Sequence, residues 1–121
     1  MRIVILSAVL SALALAEPAV QQKVFFGRLG QPDIGLYMSD GDGRNERPLV
    51  PHRELEYSPS FSRDGQWVVF TSEKDGLADL FRVHPDGSGL EQITNDTAFD
   101  DQGVLSPDGR TLAFVSSRGN G

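Results

Sequence analysis

The sequence predicts an all-β chain of short antiparallel strands, on three observations. Four tetrapeptide turns end in Asp-Gly: Asp40–Gly43, Ser62–Gly65, His84–Gly87 and Ser106–Gly109. Their aspartates, Asp42, Asp64, Asp86 and Asp108, fall 22 residues apart without a gap. Between the turns lie short apolar runs, and no run of helical period and useful length appears after residue 16.

The turns have a physical basis. A type I turn favours Asp or Ser first, Pro second and Gly fourth. Ser106-Pro107-Asp108-Gly109 satisfies all three preferences. Glycine accepts the positive φ that lets the chain fold back. Such turns between apolar runs are hairpin signals.

The full period is two turns. A shift of 44 lays Val24-Phe25-Phe26 on Val68-Val69-Phe70, Leu36-Tyr37 on Leu80-Phe81, Phe70 on Phe114 and Ser72 on Ser116. A unit of about 40–45 residues with four strands is the signature of one β-propeller blade.

The first blade spans 23–51, with strands at Lys23 to Arg28, Ile34 to Ser39 and Arg47 to Val50; Gly27, Gly30 and Pro32 break the first. The second spans 57–94, with strands at Tyr57 to Phe61, Gln66 to Ser72, Ala78 to Val83 and Leu90 to Thr94. Trp67-Val68-Val69-Phe70 is apolar at successive positions, which predicts burial on both faces. Glu73 to Gly76 reads as a polar loop and Asn95 to Asp101 as a linking loop. The third blade, 101–121, starts with strands at Gln102 to Leu105 and Thr111 to Ser116.

Three strands, four and two make about two and a quarter blades. Propellers close with about 4–8, and a repeat cannot bury its apolar face alone. The count predicts the N-terminal part of a longer protein, an incomplete propeller.

The first residues read as a secretory signal peptide. Met1-Arg2 is a positive start, Ile3 to Ala16 an uncharged apolar stretch, and Ala14-Leu15-Ala16 a cleavage pattern. The stretch is shorter than the ~20 residues that span a bilayer; the alternatives are an uncleaved anchor or a buried strand. The division is 1–16 signal peptide and 17–121 repeats, and the destination is the periplasm or the outside, with no stable membrane span after cleavage. Net charge is −6 and Cys is absent. The acidic balance argues against nucleic acid and anionic membrane as partners, and the lack of Cys excludes disulfide and thiolate chemistry.

Ser106-Pro107-Asp108-Gly109-Arg110-Thr111-Leu112-Ala113-Phe114-Val115-Ser116-Ser117-Arg118 resembles the repeat of the TolB-like β-propellers, as does Ala78 to Gly87 with Leu90 to Thr94. The resemblance covers Val24 to Gly121. It implies an exported propeller that binds other proteins as a non-enzymatic scaffold, with an envelope lipoprotein of the Tol-Pal system among its partners. Family members of the Tol-Pal type carry a separate α/β domain before the propeller, for which the residues after Ala16 leave no room. The enzymatic alternative is the propeller of a prolyl-oligopeptidase-type serine hydrolase, with its catalytic domain downstream; a sensor or carbohydrate-binding propeller is a third.

No catalytic, cofactor or metal residue is identified. Asp40-Gly41-Asp42-Gly43-Arg44-Asn45 has clustered oxygens, but an EF-hand needs Gly where Asn45 stands and Glu where Pro51 stands. Ser62 to Trp67 has adjacent Asp and Gly, which a sialidase aspartate box separates. His52 and His84 read as solvated loop residues, and no Gly-x-Ser-x-Gly elbow occurs. Asp96, Asp100 and Asp101, with Glu54 and Glu56 in the preceding repeat, predict an acidic rim at one mouth of the central channel. Such a rim would recruit a basic partner or a cation; the plainer alternative is a solvated loop. Tyr57, Phe61, Trp67, Phe70, Phe81 and Phe114 read as interblade core.

Overall fold

A computed structural model of the 121-residue chain describes residues 23–29, 34–51, 54–74 and 76–119. The proposed signal segment and His52 lie outside them. Nine strands form three antiparallel sheets among the described residues. The first holds β1 (Lys23–Leu29), β2 (Ile34–Asp40) and β3 (Arg47–Pro48). The second holds β4 (Glu56–Phe61), β5 (Val68–Lys74), β6 (Leu77–Val83) and β7 (Glu91–Gln92). The third holds β8 (Asp100–Leu105) and β9 (Leu112–Ser116). Strand order in each sheet follows the chain, as in a meander.

All four Asp-Gly turns are built alike. The glycine N–H donates to the carbonyl three residues back: Gly43 to Asp40, Gly65 to Ser62, Gly87 to His84 and Gly109 to Ser106, at 2.8–2.9 Å. Each glycine has positive φ, from 68° to 89°. Each preceding aspartate accepts from the amide two residues on, those of Arg44, Gln66, Ser88 and Arg110. Gly87 has a second constraint: a Cβ there would sit 2.9 Å from the Leu49 carbonyl oxygen of the first sheet.

The 44-residue period extends to hydrogen bonds that local rules do not supply. Ser62 Oγ accepts from the Trp67 amide and Ser106 Oγ from the Thr111 amide. The Glu73 amide donates to the Leu55 carbonyl and the Ser117 amide to the Phe99 carbonyl, each at 2.9 Å. β4 and β8 carry the same irregularity: pairing slips between Tyr57 and Ser60 and between Asp101 and Val104. Ser58 and Gln102 sit there at φ 53° and 57°, left-handed values rare for residues with a side chain.

The sheets pack face to face, with β5 between its neighbours. Val68 and Phe70 join Leu36, Met38, Leu49, Val50 and Val83 in one buried cluster against the first sheet. Val69 and Thr71 point the other way; Val69 and Leu80 close on Gly103 of β8, and Thr71 Oγ1 donates to Asp101 Oδ1 at 2.7 Å. Val68, Val69 and Phe70 are buried, as the apolar run predicts for a strand covered on both faces, and Thr71 is buried with them; Trp67, the first residue of the run, is half-buried. Phe70 stacks on Phe81 (centroids 5.8 Å apart), and the repeat-equivalent Phe26 stacks on Tyr37 (6.0 Å).

Several boundaries differ from expectation. Gly27 lies inside β1, which runs to Leu29, because β2 pairs with it throughout. Glu73 and Lys74 extend β5 through pairs with Ala78 and Leu77, so the polar loop is a tight hairpin. The outer strands β3 and β7 shrink to two residues each. The linking loop ends earlier, because Asp100 and Asp101 are already in β8.

The aromatic core is also smaller than expected. Trp67 is half-buried and stands outside the interblade cluster: its ring lies 3.8 Å from that of His84, and the Arg82 guanidinium lies 4.3 Å over it. Phe61 is 40% exposed. His84 is half-buried instead of a free loop residue, with Nδ1 2.8 Å from the Gln66 carbonyl oxygen that accepts its proton.

Candidate functional site: the acidic end of the blades

Antiparallel alternation sorts the connections onto two ends. The four Asp-Gly turns, after β2, β4, β6 and β8, share one end. The starts of β4 and β8, the β5–β6 hairpin and the link from β7 to β8 share the other. Glu54, Glu56, Asp96, Asp100 and Asp101 all fall at this second end, so topology gathers residues up to 47 apart in sequence.

They differ in environment. Glu56 (4% exposed) and Asp100 (0%) are buried at the first positions of β4 and β8, opposite Ser72 and Ser116. Asp101 is half-buried and held by Thr71 and the Gln102 amide. Asp96 is exposed and Glu54 half-exposed. Two acids of the expected rim are thus interior groups, and the carboxylates nearer the surface are those of Glu54 and Asp96.

Arg118 explains the burial of Asp100. Its Nη2 contacts Asp100 Oδ2 and lies 2.5 Å from Asp96 Oδ2, so one guanidinium joins an interior and a surface carboxylate. The same guanidinium lies 5.3 Å from the Phe114 ring centroid. Arg118 was not a candidate from the sequence. Its signal was the repeat: it stands 44 residues after Lys74, as Asp100 stands 44 after Glu56. Each of these two repeats therefore sets an acid at the start of its first strand and a base at or just past the end of its second.

Two clefts adjoin at this end and share Lys74. One of about 290 Å³ is walled by Val50, Pro51, Phe70, Phe81 and Leu90, with Glu54, Glu56, Ser72 and Lys74 at its polar side. The other, about 240 Å³, is lined by Lys74, Leu77, Asp79, Gln92, Asn95 and Asp96. Asp79 is buried and accepts from Gln92 Nε2 (3.1 Å) and Thr94 Oγ1 (3.2 Å), which fixes it as wall. Burial, then the bond to Glu73 at 2.9 Å and the Glu73 and Asp101 charges, raises the Tyr57 hydroxyl well above its usual pKa. Tyr57 is a neutral donor here. A mostly apolar groove beside excess carboxylates suits a protein segment with apolar and basic side chains.

The Asp-Gly end has different chemistry. Ser62 holds Asp64, Ser88 holds Asp86 and Ser106 holds Asp108, and these hydroxyl bonds, with the backbone amides, lower the three carboxyl pKa values. In the Asp40–Asn45 stretch, Asn45 Nδ2 donates to Asp40 at 2.7 Å and the Arg44 amide to Asp42 at 3.0 Å, a self-bonded turn. Among the described residues, no group of three or more His, Cys, Asp or Glu side chains is arranged to hold a metal ion.

Face-to-face antiparallel meanders repeating every 44 residues, with an acidic end, define a run of β-propeller blades. The chain belongs to the TolB beta propeller domain family, which matches residues 18–121. It is 39% identical over 94 residues to the Tol-Pal system protein TolB of Anaeromyxobacter sp. (strain K), covering 77% of this chain and 21% of that protein. It is 37% identical over 79 residues to an uncharacterized protein of Agrobacterium fabrum, covering 65% of this chain and 23% of the relative. The structure of putative TolB from Agrobacterium tumefaciens superposes with a TM-score of 0.73 at 29% identity, over 78% of this chain and 34% of that one. TolB from Acinetobacter baumannii superposes at 0.66 with 20% identity, over 77% of this chain and 23% of that one, which shows the shared fold. The chain spans about a fifth of the length of the curated relatives it matches.

Proposed function

We propose that this chain is part of an exported, non-catalytic propeller that binds a protein partner of the cell envelope through its acidic end. Curated relatives from Syntrophus aciditrophicus and Anaeromyxobacter carry the name Tol-Pal system protein TolB, which supports a role in such a system; an envelope lipoprotein is the proposed partner. The observation that carries the reading is an apolar groove with Glu54 at its polar side, adjoining a cleft whose lining includes the exposed Asp96. The apolar run from Ile3 to Ala16 supports export, with the mature chain starting at Glu17. Further repeats of the same polypeptide complete the ring.

The test uses the complete polypeptide and the peptidoglycan-associated lipoprotein of the same envelope. Binding is expected, weakened by added salt and by the pair Glu54→Gln and Asp96→Asn. Asp100 is left intact, since its loss would unsettle the fold. Absence of binding, or binding indifferent to both salt and the two substitutions, would overturn the proposal.

A further inference from the structure

The Asp-Gly end carries a cleft of its own, at the joint of the second and third sheets. It holds about 230 Å³ and is lined by Arg63 and Asp64 of one turn and Pro107 and Asp108 of the next, together with Trp67 and Arg82. The two turns are the same element of successive repeats, 44 residues apart. They close alike: Ser62 Oγ accepts from the Trp67 amide at 2.9 Å, and Ser106 Oγ from the Thr111 amide at 3.0 Å. The later repeat makes this turn with Pro107 where the earlier one has Arg63, and with Thr111 where it has Trp67. The fold therefore needs neither a guanidinium nor an indole here, and both stand at the cleft.

These groups are held in place with bonding capacity left over. His84, which is not part of the lining, stacks on Trp67 with centroids 3.8 Å apart, and the Arg82 guanidinium lies 4.3 Å over the indole. Arg82 donates to Glu91 Oε2 from Nε at 2.8 Å and from Nη2 at 2.6 Å, which keeps its Nη1 in reserve. Arg63 is exposed and has no hydrogen bond or ion pair among the described residues. Asp64 accepts from Ser62 and the Gln66 amide, and Asp108 from Ser106 and the Arg110 amide, in each case on Oδ1. Oδ2 of both carboxylates keeps its acceptor capacity.

We propose that this cleft binds a neutral polyhydroxylated ligand, a single sugar ring. Sugar hydroxyls donate and accept, and the cleft offers partners for both. Arg63 and the Arg82 Nη1 donate, while Asp64 and Asp108 accept. Trp67 and Pro107 give the C–H face of a pyranose an apolar wall. Charge selects the class. An anion would face both carboxylates and a cation both guanidinium groups, and a neutral polyol meets neither repulsion. The volume lies below the ~300–1,000 Å³ of drug-sized pockets, which suits one ring.

The test titrates the complete polypeptide with glucose, galactose, mannose and N-acetylglucosamine, followed by saturation-transfer NMR. At least one is expected to bind with a Kd on the order of 1 mM, as a ligand of about a dozen heavy atoms allows. Added salt should leave that Kd unchanged. Arg63→Ala removes an exposed, unpaired side chain, so folding is expected to be intact and binding weaker by about 10-fold or more. Asp108→Asn keeps an acceptor for the turn and should also weaken binding. Binding of none of the four sugars would overturn the proposal, as would binding indifferent to Arg63→Ala. Displacement of the sugar by inorganic phosphate would mark an anion site and overturn the neutral class. The pair Glu54→Gln and Asp96→Asn at the opposite end should leave sugar binding unchanged, so this proposal and the partner proposal fail separately.

Discussion

At the residue scale, the turn aspartates set the acid behaviour. Asp64, Asp86 and Asp108 have folded pKa values below the ordinary value near 4, first through a serine hydroxyl and then through backbone amides. A lowered carboxyl contributes stability that is present above its unfolded pKa and lost as pH falls through its folded one. The triple variant Asp64→Asn, Asp86→Asn, Asp108→Asn is therefore expected to start less stable at pH 7 and to lose less as pH falls below about 4. Thermal melts across that window check it. The glycines give a sharper contrast. Gly109 has φ 69°, so Gly109→Ala should cost about 1–2 kcal/mol. Gln102 has φ 57° with its side chain already strained, so Gln102→Gly should cost nothing or stabilise by up to ~1 kcal/mol. Urea melts of the two variants decide.

At the element scale, the strands and their turns were legible because their causes are local. A proline, an aspartate and a glycine within four residues close a hairpin whatever surrounds it, and Val68-Val69-Phe70 declares a doubly covered strand. Non-local pairing was hidden. The bulges at Ser58 and Gln102 had only an indirect signal, Pro59 and Gly103 inside the strands, and the slip follows from how β4 and β8 meet their partners. The acidic rim was legible as a location and misread as a surface: Asp100 is interior because Arg118, 18 residues on, returns beside it through β9. Trp67 was misassigned because hydrophobicity alone does not show that His84 and Arg82 pack against its ring. The Arg118 pair predicts a stability effect. Arg118→Ala leaves Asp100 uncompensated, and a broken buried pair costs ~3–5 kcal/mol. Because the Arg118 side chain is 43% exposed, about 2 kcal/mol is expected. Conversely, Arg118→Lys should recover part of it, as measured by chemical denaturation.

At the scale of the whole molecule, the account depends on successive sheets stacking face to face, each covering the one before. Local turns and strand runs specify hairpins, which alone are marginal in water; only the stack makes a blade array with two distinct ends. That division puts the aspartates of the turns at one end and the clefts with Glu54 and Asp96 at the other. At that end Asp79, Asp100 and Asp101 hold walls, while Glu54 and Asp96 lie nearer the surface, Asp96 in its pair with Arg118.

The stack is tested most directly by a double-mutant cycle across the joint of the second and third sheets. Thr71→Val, Asp101→Ala and the double variant are compared by equilibrium denaturation. Residues 30 apart in sequence and in direct contact through the stack should couple by about 0.5–3 kcal/mol. Strict additivity of the two single effects would mean that the sheets do not meet face to face, and would contradict the architecture on which the functional reading rests.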